Sequence, residues 1–345
     1  MARKGDTLLA GVATLAAILA VGLAASWLAG VSTSLLDTQA TAAARHGLAR
    51  LASGDPWLRF EEIRGLALIP FIAIVQPLLV VALMLVIELR AGPRLREPKD
   101  YWLGWRVQVA FLASAFLLDY MLGKFGPPMP RPLIQVTGAQ DAGTLLLRTL
   151  PAYLLVIFVG DFFRYWFHRA QHRFAFLWRF HAVHHMPRDL DVLHNFMHPV
   201  ELVGNAFLIA LPTAWLIGVD AGQLYLVTVF LAVQGHIHHM NVPMHYGPLR
   251  HVLCDNRYHF VHHSSDPADY DTNFAACFPI LDRLFGTYRE PAPGPLPATG
   301  LPGEPPTRLA DYLLGWRPGG DSSDRAVAAS AAEPMPAFVL KAETT

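Results

Sequence analysis

Residues 161–172 read DFFRYWFHRAQH, and residues 181–185 read HAVHH. In the first stretch His168 and His172 stand at i and i+4, which on a helix puts both imidazoles on one face. Asp161 lies on that same face, two turns earlier. In the second stretch His181 and His184 share a face at i and i+3, and the adjacent His185 is placed to reach a second centre. Residues 259–263, HFVHH, repeat this spacing with His259, His262 and His263. Between the two repeats stand His236, His238 and His239, in the order His-Ile-His-His.

All but one of the 16 histidines fall between residues 168 and 263; His46 is the exception. A buried histidine that only fills a core needs a polar partner of its own. Eleven in repeated helical spacings do not read as scattered core residues. One metal ion takes about four to six ligands, so eight or more imidazoles point to two ions. A structural zinc site would bring cysteine, which is absent from the clusters, and neither Cys254 nor Cys277 is part of a CxxC pair. A zinc peptidase would need HExxH, and the chain contains no His-Glu pair. Nitrogen-rich sites suit iron, copper, zinc or nickel. For redox work with two metals at a membrane surface, iron fits best.

The rest of the composition points to lipid. The chain has 345 residues, 53% hydrophobic and 16% charged, and its mean hydropathy is positive. A soluble domain normally carries about 25% charged residues. Its 27 basic and 27 acidic residues cancel, so no basic excess points to nucleic acid. Two cysteines form no disulfide framework and read as buried thiols.

Leu8 to Gly30 and Leu66 to Ile87 are uncharged and long enough to cross a hydrocarbon core of about 30 Å. The first follows Arg3 and Lys4 but has no clear small-x-small cleavage site, so it reads as an anchor rather than a signal peptide. Shorter apolar runs at Val107–Leu118 and Thr149–Gly160 suit tilted or shielded helices. Leu202–Val219 and Ala221–Gly235 flank Asp220 and read as a hairpin. The loop from Glu88 to Arg106 carries Arg90, Arg94, Arg96, Lys99 and Arg106, a cytoplasmic signal under the positive-inside rule. Counting crossings from there puts every histidine cluster on the cytoplasmic face of a multi-pass membrane protein, the inner membrane if the source is bacterial. The expected fold is all-α, an integral-membrane helical bundle with a cytoplasmic helical cap that carries the histidines. The expected organisation is a transmembrane and connecting region at 1–150, a catalytic domain at 151–290, and a mostly disordered Pro-rich tail at 291–345.

In order, these elements resemble the fatty acid hydroxylase/sterol desaturase superfamily over residues 155–288. The resemblance rests on DFFRYWFHRAQH, HAVHH, His198-Pro-Val-Glu201, His239-Met-Asn241, HFVHH, Asp271-Thr-Asn-Phe and Asp282-Arg-Leu-Phe-Gly-Thr-Tyr288. It implies a di-iron centre (Fe2+/Fe3+) that uses O2, with electrons from a b-type cytochrome or ferredoxin and its reductase. It implies His168, His172, His181, His184, His185, His259, His262 and His263 as ligands. His236, His238 and His239 would supply the rest, and His239 best matches the family's His-x-Asn element. Asp161, His194, His198, Glu201, Asn241 and Asp271 are candidates to support the ligands from behind; Asp255 is a further carboxylate of that kind. His245 and His251 read as surface groups. The chain departs from the pattern at Ala275, where glycine is usual, at Leu281, where tryptophan is usual, and in the extra His194.

The activity expected from this resemblance is O2-dependent hydroxylation, or desaturation, of a lipid C–H bond. The different class that fits the same residues is a non-enzymatic histidine-rich protein that binds or transports metal through the membrane.

Overall fold

The fold was described from a computed structural model. It covers residues 76–91, 98–125, 131–135, 150–218, 221–302 and 308–315, with a few positions between 46 and 59. The Leu8–Gly30 segment, residues 66–75 and Arg94 and Arg96 lie outside the described residues. So does the tail beyond residue 315.

Among the described residues the secondary structure is helical, apart from two strands of two residues each. Helix α1 is Gln76–Ala91 and α2 is Pro98–Phe125. Strand β1, Ile134–Gln135, pairs in parallel with β2, Ile217–Gly218. Helix α3, Leu150–Arg173, runs directly into α4, Ala175–His185. A helical rod then spans residues 199–216. It comprises α5 (Pro199–Asn205), a π-turn at Ala206–Ala210 and α6 (Leu211–Leu216). Helix α7 is Ala221–His239, α8 is Asn256–His262, α9 is Ile280–Phe285 and α10 is Leu309–Leu314.

The sequence shows why these helices form. Pro199 sits at the first turn of α5, where its missing N–H is not needed. The side chains of His198 and Glu201 close a capping box around that turn. Asp255 caps α8 by accepting from Tyr258 N–H at 3.1 Å. Gly286, at φ 73°, ends α9 in the left-handed conformation that glycine adopts without a Cβ clash.

The polybasic segment differs from the loop expected over 88–106. Helix α1 continues to Ala91 and α2 starts at Pro98, so Arg90 and Arg106 are helical. Glu88 is buried there, accepting from Val192 N–H at 2.9 Å and Asn241 N–H at 3.0 Å. The carboxylate thus pins α1 to the chain on both sides of α7.

Many apolar side chains face outward. Leu79, Leu83 and Val86 on α1, Val109, Leu117 and Met121 on α2, Leu154 and Leu155 on α3, and Phe207 and Leu208 in the rod are all exposed. Exposed apolar area of this kind marks a surface that meets a protein partner or a membrane. Among the described residues one helical segment, Pro199–Leu216, is long and apolar enough to cross a membrane. The runs in α2 and α3 do not pass that test.

The histidine-bearing ends of α3, α4, α7 and α8 meet among four apolar clusters. One joins Val81 and Met84 to Val192, Leu193, Ile237 and Met240. Another joins Val107 to Trp178, Val183, Phe196 and Tyr312. Part of the C-terminal stretch expected to be mostly disordered takes part in this packing. Thr299 bridges to Ser264 and donates its hydroxyl to Arg188 O at 2.9 Å. Tyr312 of α10 is buried. Two anchors of this kind order a stretch whose sequence has little periodicity of its own.

Candidate metal centre

Nine histidines converge in two groups. His168, His172, His181, His185 and His262 form one; His184, His239, His259 and His263 form the other. In each group the ligand atoms lie within 4.8 Å of one another. Every imidazole except that of His168, which is partly exposed, is buried. The groups adjoin: the rings of His185 and His263, one from each, stack at 4.2 Å.

The sorting differs from the i, i+3 pairing expected of His181 with His184 and of His259 with His262: the i, i+4 pair stays together and the middle histidine crosses to the other group. In each HxxHH box the first and last histidines, at i and i+4, serve one group, and the middle one serves the other. His181 and His185 join the first group and His184 the second. His259 and His263 join the second and His262 the first. Helix α3 adds His168 and His172, and the last turn of α7 adds His239.

The Nε2 atoms face inward. His168 and His185 bring Nε2 to within 3.0 and 3.1 Å of His181 Nε2. In the second group Nε2 of His184 and of His259 lie 3.3 and 3.1 Å from that of His239, and His263 Nε2 lies 3.1 Å from that of His259. His172 and His262 have buried Nε2 atoms with no protein partner.

The outer nitrogens decide the tautomers. His168 Nδ1 faces Phe274 O at 2.8 Å, His262 Nδ1 faces Thr272 O at 2.8 Å, and His239 Nδ1 faces Gly235 O at 2.6 Å. A carbonyl only accepts, so each Nδ1 carries the proton and each Nε2 presents a lone pair. His181 Nδ1 donates to Glu201 at 2.9 Å in the same way. Lone pairs aimed at one another about 3 Å apart repel unless a cation lies between them. Metal–nitrogen bonds of about 2.0–2.1 Å would place neighbouring donors on the order of 3 Å apart. The donor set therefore fits a metal ion in each group. Burial, reinforced by neighbouring imidazoles, holds His168, His172, His184, His185, His259 and His263 well below the ordinary histidine range. The neutral imidazole is the form that ligates.

His236 and His238 join neither group. His236 Nδ1 lies 2.9 Å from Val192 O, and His238 Nε2 lies 3.2 Å from Cys254 O and 2.9 Å from Gln234 Nε2. His238 stacks on the His259 ring at 5.0 Å without aiming a nitrogen at either group, and His236, one turn before His239, is taken by Val192 O; of the three only His239 supplies a ligand atom.

The supporting positions also divide. Glu201 accepts from His181, from Gln171 Nε2 at 2.6 Å and from His198 N–H at 3.0 Å. Asp271 Oδ1 lies 3.2 Å from His172 Nδ1. Asp161, expected beside His168, instead accepts from the N–H groups of Ala276, Cys277 and Phe278 at 2.8–2.9 Å. Asp255 is spent on its cap. His194 pairs with Asp191 at 2.8 Å, and Asn241 is held through its backbone N–H by Glu88. His198 accepts Val200 N–H at Nδ1 and donates from Nε2 to Leu313 O at 3.0 Å. His245 and His251 are exposed.

Several contributors carry no metal-ligand signature of their own. The turn at 271–274 serves three ligands of the first group, through Asp271, Thr272 O and Phe274 O. Asp271 and Asn273 both take left-handed backbone, φ 57°. The Asn273 side chain donates to Tyr258 O and Arg289 O at 3.1 and 3.0 Å and accepts Arg289 N–H at 2.8 Å. Asp282 accepts from Phe274 N–H, Ala275 N–H and the Thr287 hydroxyl at 2.7, 2.9 and 2.7 Å, and from the Tyr258 hydroxyl. The DTNF and DRLFGTY motifs were visible in the sequence. Their job, holding one turn against the ligands, depends on contacts across the fold. Ala275 and Leu281 are both fully buried beside Tyr165 and Cys254, where packing fixes their size.

Fold and site together define a helical protein with two adjoining polyhistidine centres. Residues 153–287, less than half of the chain, match the family model described as fatty acid hydroxylase, and in this segment the chain is similar to that family. It is 32% identical over 139 residues to the ornithine lipid hydroxylase OlsE of Rhizobium tropici, covering 40% of this chain and 42% of that protein. It is 30% identical over 132 residues to the alkylglycerol monooxygenase of Xenopus tropicalis, covering 38% and 29%. A very-long-chain aldehyde decarbonylase of Oryza sativa subsp. indica is 28% identical over 196 residues, covering 53% and 29%. The chain thus spans less than half the length of each of these relatives. No solved structure matches.

Proposed function

We propose that this protein is an O2-dependent, membrane-bound oxygenase that hydroxylates a C–H bond of a lipid, with an iron ion in each histidine group. The carrying observation is the convergence of nine imidazoles into two adjoining groups with their lone pairs inward. The names of two relatives, an ornithine lipid hydroxylase and an alkylglycerol monooxygenase, support lipid as the substrate and hydroxylation over desaturation.

His168, His172, His181, His185 and His262 would hold one ion, and His184, His239, His259 and His263 the other. The bound pair would supply redox chemistry with O2 that side chains lack. The protein's own part is to keep the imidazoles neutral, fix their tautomers and exclude water. Glu201 and the carbonyls of Thr272, Phe274 and Gly235 hold Nδ1–H and so raise the basicity of the inward nitrogens. Aromatic and apolar packing from Trp178, Phe196 and Phe274 screens the groups from solvent. The outward apolar faces of α1, α2, α3 and the rod support residence in a bilayer, with the histidine groups at its cytoplasmic surface. A separate donor, a b-type cytochrome or ferredoxin with its reductase, would deliver the electrons.

The test pairs metal content with lipid chemistry. Purified protein from iron-replete cells should carry about two irons per chain, one for each donor group. Lipid extracts from cells with and without the gene should differ by a gained oxygen. A loss of two hydrogens would replace hydroxylation by desaturation. Bound metal with no oxidised lipid under O2 and a reductase system would favour the non-enzymatic metal-binding reading.

A further inference from the structure

The two histidine groups meet at one pair of rings, His185 and His263, stacked at 4.2 Å. Each of the two points Nε2 at a ligand of its own group, His181 and His259 respectively. Among the described residues neither ring has a hydrogen-bond partner at Nδ1, in contrast to His168, His181, His239 and His262. A carbonyl or carboxylate behind Nδ1 is what orients a ligating imidazole elsewhere in the site. For His185 and His263 the backbone that carries them must supply that orientation.

That backbone is held by a segment beyond the 153–287 match. Thr299 forms an antiparallel bridge with Ser264, the residue after His263. Its hydroxyl donates to Arg188 O at 2.9 Å, with Pro187 O 3.2 Å away; these residues stand three and two places after His185. Beside the bridge, Ser265 N–H donates to Ala298 O at 2.9 Å. Thr299 and Ser264 are both buried, where a hydrogen bond is stronger than in water. Gly300 permits the close approach: at its φ of 102° a Cβ would lie 2.9 Å from Arg188 Cα. Arg257, two residues before His259, donates to Ala292 O and Gly294 O and fixes the path into the bridge.

We infer that Thr299 is a positioning residue for the metal pair: it clasps the exits of the two HxxHH segments and so fixes His185 against His263, one donor from each centre. The inference rests on the reading of a metal ion in each group. Losing the clasp should loosen both centres together, because adjacent histidines on each segment serve different groups.

Cobalt(II), which imidazole sites accept, tests this without turnover. The full chain is purified in detergent, stripped of metal and titrated with Co(II). Visible absorption reports donor geometry, and melting of the stripped protein reports folding. The wild type should bind two Co(II) per chain. Thr299→Val keeps the side-chain shape and loses the hydroxyl; it should weaken both sites about fivefold, the scale set by one hydrogen bond, and alter the spectrum. Thr299→Ser should restore both affinity and spectrum. Gly300→Ala, which pushes Arg188 away while keeping the Thr299 hydroxyl, should act like Thr299→Val and decides the matter if that variant does not fold. Folded Thr299→Val or Gly300→Ala with wild-type affinity and spectrum overturns the inference, even where melting falls, because the clasp would then be structural only. Loss in Thr299→Val that serine does not rescue also overturns it. Failure of the two-metal reading looks different: the wild type itself would bind fewer than two Co(II), and the inference would fall with it.

Discussion

His168 Nδ1 and the carbonyl oxygen of Phe274, 106 residues apart in the chain, meet at 2.8 Å. The carbonyl cannot turn away, because the Ala275 N–H of the same peptide unit is held at 2.9 Å by Asp282. A buried carboxylate on α9 thus orients an imidazole on α3 through one peptide unit. Asp282→Ala should remove acceptors from two backbone N–H groups and two hydroxyls at once. The expected cost is about 3–5 kcal/mol, the range for breaking a buried charged network. Thermal unfolding in detergent measures it, and an unchanged melting temperature would show that the turn holds itself.

Glu201 is bonded to His181, Gln171 and the His198 backbone. Losing such a partner of a ligating histidine typically costs about 10–100-fold in metal affinity. Glu201→Ala should fall in that range by chelator competition. Glu201→Gln should fall short of it, because the amide oxygen still accepts from His181 Nδ1. Equal losses in the two variants would mean that charge matters more than the hydrogen bond.

His184 and His236 separate ligands from bystanders. His184→Ala deletes one of the donors in the second group and should lower bound iron. His236→Asn exchanges a side chain that faces Val192 O, so iron should stay bound even if stability drops. Folded His236→Asn protein without iron would place His236 among the ligands.

Acid should destabilise the iron-stripped protein. Burial lowers His236 and His238 from the ordinary 6.5 to about 4. Between those values the unfolded chain takes up protons that the folded chain refuses. Their contribution is therefore intact above pH 6.5. It falls with acidification by about 1.4 kcal/mol per pH unit for each histidine, down to about pH 4. The buried cluster histidines add in the same direction, so melting temperatures of stripped wild type and stripped His236→Asn are compared on either side of pH 6.5; the variant should lose less stability on acidification, and identical profiles would mean that the folded pKa of His236 is not lowered.

How much was legible in advance follows from the range of each signal. The i, i+4 spacing of His168 and His172 is local, and both imidazoles end in the first group. Adjacent histidines at 184–185 and 262–263 point to different groups, as side-chain direction on a helix requires. What was not legible is long-range. His236, His238 and His239 differ only in rotation about α7, and packing against Val192 and Cys254 decides which one turns inward. Asp161 lies on the correct helical face, yet the 276–278 backbone reaches it first. Order at residues 298–302 and 308–315 rests on contacts with Arg188 and His198, more than 100 residues away, which no local pattern encodes.

The split of His184–His185 and of His262–His263 between the two groups has a mechanical consequence. Neighbouring α-carbons in a chain are fixed about 3.8 Å apart by covalent geometry. Two such pairs, on two different helices, tie one centre to the other. The interval between the centres is thus gauged by bond lengths rather than by the softer packing of helix on helix. Strain that shifts α4 against α8 would move donors of both centres together, and neither could drift out of register with the other alone.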